Sequence, residues 1–270
     1  MSSNPTTRTS NYMTHKILIT SGCSFTETTS GVINTWPMYL RDELKNHSYV
    51  EHKSGGLGSQ GNGLISRKVM HFVSEALKKY KPEDILVGVM WSGPNRVDFR
   101  CTDPSLLQFN IDGVDNQWME NPTGFVDGST KNWVILNHHW ASIKAPVINE
   151  EAKLYYKYFY DDVGATISTF EHMLRIQWFL EKYNIRYFFS TYQDYVLTKN
   201  PWREHKEVKH LYDMIGFTNF LPVKSMGNWV ENNSAYGTAD IHEGDHPSSR
   251  QHHEFTEKVI LPWLKYKKII

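Results

Sequence analysis

The sequence predicts an α/β protein in which a mostly parallel sheet carries helices on both faces. Three observations predict it. Short apolar, β-favouring runs alternate with longer stretches of helical periodicity, no internal repeat interrupts that alternation, and two of the apolar runs stop abruptly in polar turns. Right-handed crossovers then bring the carboxyl-end turns of the strands to one edge, where open α/β sheets bind their ligands.

The elements follow in order. Residues 1–13 are Ser/Thr/Asn-rich and read as a disordered leader, with Met13 a second plausible start, ahead of one domain over 14–270. Lys16 to Ile19 is the first strand, and it runs into Ser21-Gly22-Cys23-Ser24-Phe25-Thr26. Trp36 to Leu44 is a helix with Pro37 in its first turn and Trp36, Leu40 and Leu44 on one face. Tyr49 to Lys53 is a second strand. The glycine-rich turn at 54–63 follows, feeding a helix that aligns Ile65, Val69, Phe72, Val73 and Ala76. Asp84 to Trp91 is a third strand, apolar throughout as in strands buried on both faces, and it ends in Ser92-Gly93-Pro94-Asn95-Arg96. Periodicity then fails, so about 97–146 reads as an insertion, with a hairpin, lying over the carboxyl edge of the sheet as a lid or substrate wall. A helix over Glu150 to Tyr183 with a break at Gly164, aligning Phe170, Leu174 and Trp178, precedes a fourth strand at Arg186 to Tyr192. A helix from Pro201 to Ile215, a stretch at 216–240 with no clear assignment beyond a short strand or helix around Met226 to Val230, and a last helix from Ser248 to Tyr266 complete the chain.

Composition excludes several functions. Lys plus Arg equals Asp plus Glu at 29 each, so nothing draws the chain as a whole to nucleic acid or to an anionic membrane. The cluster Lys265 to Lys268 reads as a solvated helix end. No signal peptide or transmembrane run is present, and the two cysteines, Cys23 and Cys101, form no disulfide framework. A reducing, cytoplasmic setting follows. Nine Trp, fifteen Tyr and thirteen Phe leave enough aromatic surface to line a groove as well as the core.

The chemistry lies in the turns. A serine hydroxyl needs a base within hydrogen-bond reach and donors for the oxyanion it creates. Ser24 is the candidate nucleophile and His246 the base. The backbone N–H groups of Ser24 and Gly58 and the Asn95 amide are candidate donors. His242, His246, His252 and His253 crowd together with Glu243 and Asp245, but no His-Glu-x-x-His occurs and no metal or other cofactor is expected. His252 and His253, on the last helix, read as surface or capping residues.

These blocks resemble the SGNH hydrolases of the GDSL esterase/lipase superfamily. The nucleophile block is Gly22-Cys23-Ser24-Phe25-Thr26, with Cys23 where the family often has Asp. The glycine block is Gly56-Leu57-Gly58-Ser59-Gln60-Gly61-Asn62, with Gly58 as the oxyanion glycine and Gly56 as the fallback. The third block, Gly93-Pro94-Asn95-Arg96, keeps the asparagine and replaces the following acid by Arg96. The last, Glu243-Gly244-Asp245-His246, puts glutamate at the acid position, followed by Pro247-Ser248. Four short blocks in order over residues 22–248 imply a three-layer α/β/α fold with a flavodoxin-like sheet, and a serine hydrolase. The resemblance assigns Glu243 to orient His246, with Asp245 or Asp240 as substitutes. Arg96, Trp91 and Asn62 are candidate substrate-binding residues, Arg96 either meeting a negative group or pairing with Glu27 or Asp98. The implied substrate is a small ester, with an O-acetylated carbohydrate as the leading case. An acyltransferase using the same residues, or a non-catalytic binding protein on the same scaffold, is the alternative.

Overall fold

A computed structural model describes residues 15–28, 34–100, 133–137, 149–237, 240 and 246–270. The strands, in chain order, are β1 (Lys16–Gly22), β2 (Tyr49–Ser54), β3 (Ile85–Trp91), β4 (Arg96–Arg100), β5 (Trp133–Asn137), β6 (Arg186–Thr191) and β7 (Phe220–Ser225). The helices are α1 (Trp36–Leu44), α2 (Asn62–Ala76), α3 (Asn149–Tyr158), α4 (Asp162–Lys182), α5 (Lys209–Met214), α6 (Met226–Asn233), α7 (Ser249–Phe255) and α8 (Leu261–Tyr266). A π-helical stretch, Thr256–Ile260, joins α7 to α8.

Five strands make one parallel sheet in the order β2-β1-β3-β6-β7, the flavodoxin-like arrangement. Because the chain steps from β1 to β2 on one side and then crosses to β3 on the other, the order reverses between β1 and β3. The carboxyl ends of those two strands therefore border the crevice. Alternate strand residues feed two cores, as the period of two requires. Ile17, Ile19, Val87, Val89 and Phe189 meet Ile65 and Val69 of α2 and Phe170 and Leu174 of α4. Leu18, Leu86, Met90 and Phe188 meet Trp36 and Leu40 of α1 and Phe255, Ile260 and Leu264 at the chain's end. The sheet is thus covered on both faces, as the α/β/α reading expects.

The structure departs from the sequence reading in four places. The break in the long helix falls at 159–161 rather than at Gly164, because the Asp161 side chain caps α4 by accepting the Gly164 N–H at 2.9 Å. Trp178 points outward, 52% exposed. Residues 201–208 are turns, and only Lys209–Met214 is helical, since buried apolar residues begin only at Val208. The stretch at 216–240 holds β7, which contains Pro222 and, among the described residues, pairs only with β6; an edge strand tolerates the missing N–H. The predicted hairpin is present as antiparallel β4–β5, while the rest of the 97–146 insertion, and the leader, lie outside the described residues.

Candidate active site

β1 is buried from Ile17 onward and delivers its chain directly into a single 3-10 turn, Ser24–Thr26, closed by the Thr26 N–H on the Cys23 carbonyl at 2.8 Å. Only glycine fits before this turn. A Cβ on Gly22 would stand 2.3 Å from Thr26 Oγ1 and 2.7 Å from the Met90 carbonyl. Cys23 is buried with a free thiol, whereas Ser24 is partly exposed at the rim.

From the far end of the chain, His246 reaches the same point: its Nε2 lies 2.6 Å from Ser24 Oγ. Its ring rests against Phe25, with centroids 5.2 Å apart. The residues behind it are held firmly. Ser248 caps α7 in a reciprocal capping box with Gln251, and α7 docks on α1, where His252 Nδ1 accepts the Trp36 N–H at 3.1 Å. His252 is therefore no surface residue. It is 1% exposed, and burial, with His246 nearby, pushes its pKa down to about 3, so it serves as a neutral acceptor for the first N–H of α1. His253 is exposed, against the Tyr39 ring and Glu257. Of the acids that might orient His246, Glu243 and Asp245 lie outside the described residues. Asp240 accepts the Ser248 hydroxyl hydrogen bond and so supports the start of α7.

The glycine-rich turn is laced to the end of β1. Gly55 N–H donates to the Thr20 carbonyl at 2.7 Å, Leu57 N–H to the Gly22 carbonyl at 3.2 Å, and Gln60 Nε2 to the carbonyls of Gly22 at 2.8 Å and Gly55 at 3.0 Å. Contact with the serine turn is tight, since a Cβ on Gly56 would lie 2.3 Å from the Thr26 carbonyl oxygen. Gly58 follows along the same edge, facing the Glu27 carboxylate.

Asn95 arrives on the turn after β3, whose Met90 pairs with Gly22. Tyr156 donates to the Asn95 carbonyl at 2.9 Å. The Asn95 amide oxygen folds over Gly93, near the hydroxyls of Tyr192 and Tyr195, and is buried without a hydrogen bond among the described residues. An unpaired buried acceptor costs about 1–3 kcal/mol.

Of the candidate substrate-binding residues, Trp91 is displaced from that role, and Asn62, which borders the cavity beside Arg96, also has a structural one. Trp91 is fully buried in the core against Phe189, so no part of it faces a cleft. Asn62 is 2% exposed and works as a clamp. It accepts the Ser92 N–H at 2.8 Å and donates to the Ser92 carbonyl at 2.9 Å and to Thr169 Oγ1 at 3.2 Å. Arg96 does reach open space. It donates to Ser92 Oγ at 2.8 Å and covers the Tyr192 ring, while Asp98 accepts the N–H groups of Gly61 and Leu64 at the start of α2. Beside it opens a cavity of about 470 Å³, walled by Arg96, Phe99, Tyr155, Phe159, Tyr160 and Ser168 among others. That volume suits a small ligand.

Sequence reasoning missed the aromatic bridge across the site. Phe25 touches His246 and, edge-on, Tyr192, and Tyr192 in turn packs on Tyr195. Tyr192 immediately follows β6, so the rule that carboxyl-end turns share an edge already pointed to it; His252 carried no such signal. Among the described residues no cluster of His, Cys, Asp or Glu is placed to hold a metal, and no helix is long and apolar enough to cross a membrane.

No known family model matches the sequence, and no curated protein matches it. Solved structures do: TesA, at 9% identity and a TM-score of 0.45 over 94% of this chain and all of that one, and a protein described as a GDSL-like lipase from Parabacteroides merdae, at 9% and 0.40 over 95% and 97%. At those scores the reading of the site rests on its own geometry.

Proposed function

We propose that this protein is a serine esterase that cleaves a small ester through an acyl-enzyme on Ser24. The observation that carries the reading is the 2.6 Å approach of Ser24 Oγ to His246 Nε2 at the switch point of a doubly wound sheet. As Ser24 Oγ bonds to the acyl carbon, His246 takes its proton, and the carbonyl oxygen becomes an oxyanion. The backbone N–H groups of Ser24 and Gly58 and the Asn95 side chain receive that charge. The tetrahedral intermediate collapses, the alcohol leaves with the proton from His246, and water attacks the acyl-enzyme by the same route in reverse. Glu243, or Asp245 in its place, holds the imidazole in the tautomer that leaves Nε2 open to the serine.

The alcohol portion would occupy the cavity beside Arg96. Its mixture of aromatic faces and polar groups supports an O-acetylated carbohydrate as the leading substrate.

Incubation with short p-nitrophenyl esters and with a fluorophosphonate tests the reading. Hydrolysis and a covalent label on the Ser24 peptide are expected, and Ser24→Ala should lose both while keeping its fold. A rise in product with an added acceptor alcohol would reassign the same residues to acyl transfer. A folded wild-type protein that neither turns over nor labels would reject an enzymatic role.

A further inference from the structure

A fully buried lysine lies under the glycine-rich turn, and the catalytic scheme leaves it without a task. Lys68 extends from α2, is 1% exposed, and donates to the Gly55 carbonyl at 3.2 Å. That carbonyl gathers two further side-chain donors, Gln60 Nε2 at 3.0 Å and Ser21 Oγ at 3.4 Å. One peptide oxygen therefore anchors the strand end, the glycine turn and α2 together. The charged groups facing the ammonium are Asp98 from β4 and Glu27 from the segment after the serine turn. Glu27 also borders the turn's other end: a Cβ on Gly58 would lie 3.2 Å from its Oε2.

A lysine is expensive to bury, and a well-packed apolar side chain would serve packing alone at least as well. What the ammonium adds is a charge-assisted hydrogen bond at Gly55 and an opposite charge for a carboxylate beside Gly58. Both act on one four-residue turn. We propose that Lys68, when charged, is a positioning residue that holds the Gly55–Gly58 turn where the Gly58 N–H meets the developing oxyanion. This rests on the esterase reading above. Burial pushes the Lys68 pKa down to about 7, against the opposing pull of Asp98 and Glu27, so the charge is lost around neutral pH.

The rate of fluorophosphonate labelling, followed from pH 5.5 to 9, tests this without knowledge of the natural ester. The wild-type rate should fall toward alkaline pH as Lys68 loses its proton. Lys68→Met should label about 10- to 100-fold more slowly at the optimum, the scale of a misplaced or lost oxyanion donor, and should lack the falling limb. Glu27→Gln removes an anion that favours the charged lysine, so it should move the falling limb to lower pH. That variant decides the matter if Lys68→Met does not fold. A folded Lys68→Met with wild-type rate and pH profile overturns the inference, as does a Glu27→Gln profile identical to wild type. Ser24 would still label in either case, which leaves the esterase reading intact; absence of any label on wild type would instead remove that reading, and this inference with it.

Discussion

Replacing Asn62 by alanine separates a clamp from a substrate contact. In the native protein the Asn62 side chain joins the start of α2 to Ser92, accepting its N–H and donating to its carbonyl, and also donates to Thr169 on α4. All of this is buried, Asn62 at 2% and Ser92 at 0% exposure. Alanine strands the N–H and the carbonyl of Ser92 at about 1–3 kcal/mol each, partly relieved where water enters the space, so a net loss of about 2–4 kcal/mol is expected. At about 2–4 °C per kcal/mol for a chain of this size, the melting temperature should fall by roughly 4–16 °C. Asn62→Asp, nearly equal in volume, should also destabilise, because one oxygen still accepts from Ser92 while the other meets the Ser92 carbonyl. Thermal melts followed by circular dichroism give the shift, and ester hydrolysis gives KM and kcat. A melting temperature within a degree of wild type together with a raised KM would refute the clamp and return Asn62 to the substrate.

Acid sensitivity should come partly from two histidines, His252, which is buried, and His52, which is partly buried. Burial lowers His52, which bonds Thr20 Oγ1 at 2.9 Å, to about 4, and His252 to about 3, against 6.5 for a free imidazole. The unfolded chain therefore takes up these protons first. The stability these groups supply is complete above pH 6.5 and falls as pH drops toward 4, by up to about 1.4 kcal/mol per pH unit for each. Urea midpoints between pH 7 and pH 5 should show the decline, and His252→Gln, whose amide oxygen can still accept the Trp36 N–H, should flatten it; an unchanged slope counts against the assignment. Gly56→Ala would set a methyl 2.3 Å from the Thr26 carbonyl, so the serine turn must shift. Loss of fluorophosphonate labelling in a protein that still melts cooperatively is the expected result, and wild-type labelling would contradict the packing described.

What could be read in the sequence was what periodicity and topology control. The continuous apolar runs of β1 and β3, the Pro37 start of α1 and the apolar stripe of α2 all report local rules, and the crossover rule then predicts Ser24 and Asn95 on one rim. Side-chain roles set by tertiary partners were not legible. Asn62 resembles any polar residue at a helix start until Ser92 is seen beneath it, and Trp91 resembles a rim aromatic until Phe189 covers it. His252 sits on a polar-looking helix, yet its Nδ1 caps an N–H supplied 216 residues away. β7 was hidden by Pro222, which an interior strand would reject and an edge strand accepts.

The hydroxyl and the imidazole that meet at 2.6 Å stand 222 residues apart. A ribosome adding about 5–20 residues per second leaves an interval of roughly 10–45 seconds between emergence of the first and the second. During that time β1 can already pair while the serine has no partner. On the esterase reading proposed above, a nascent or clipped chain that lacks its closing helices is inert toward esters, and the onset of turnover would mark completion of the molecule more sharply than any measure of its secondary structure.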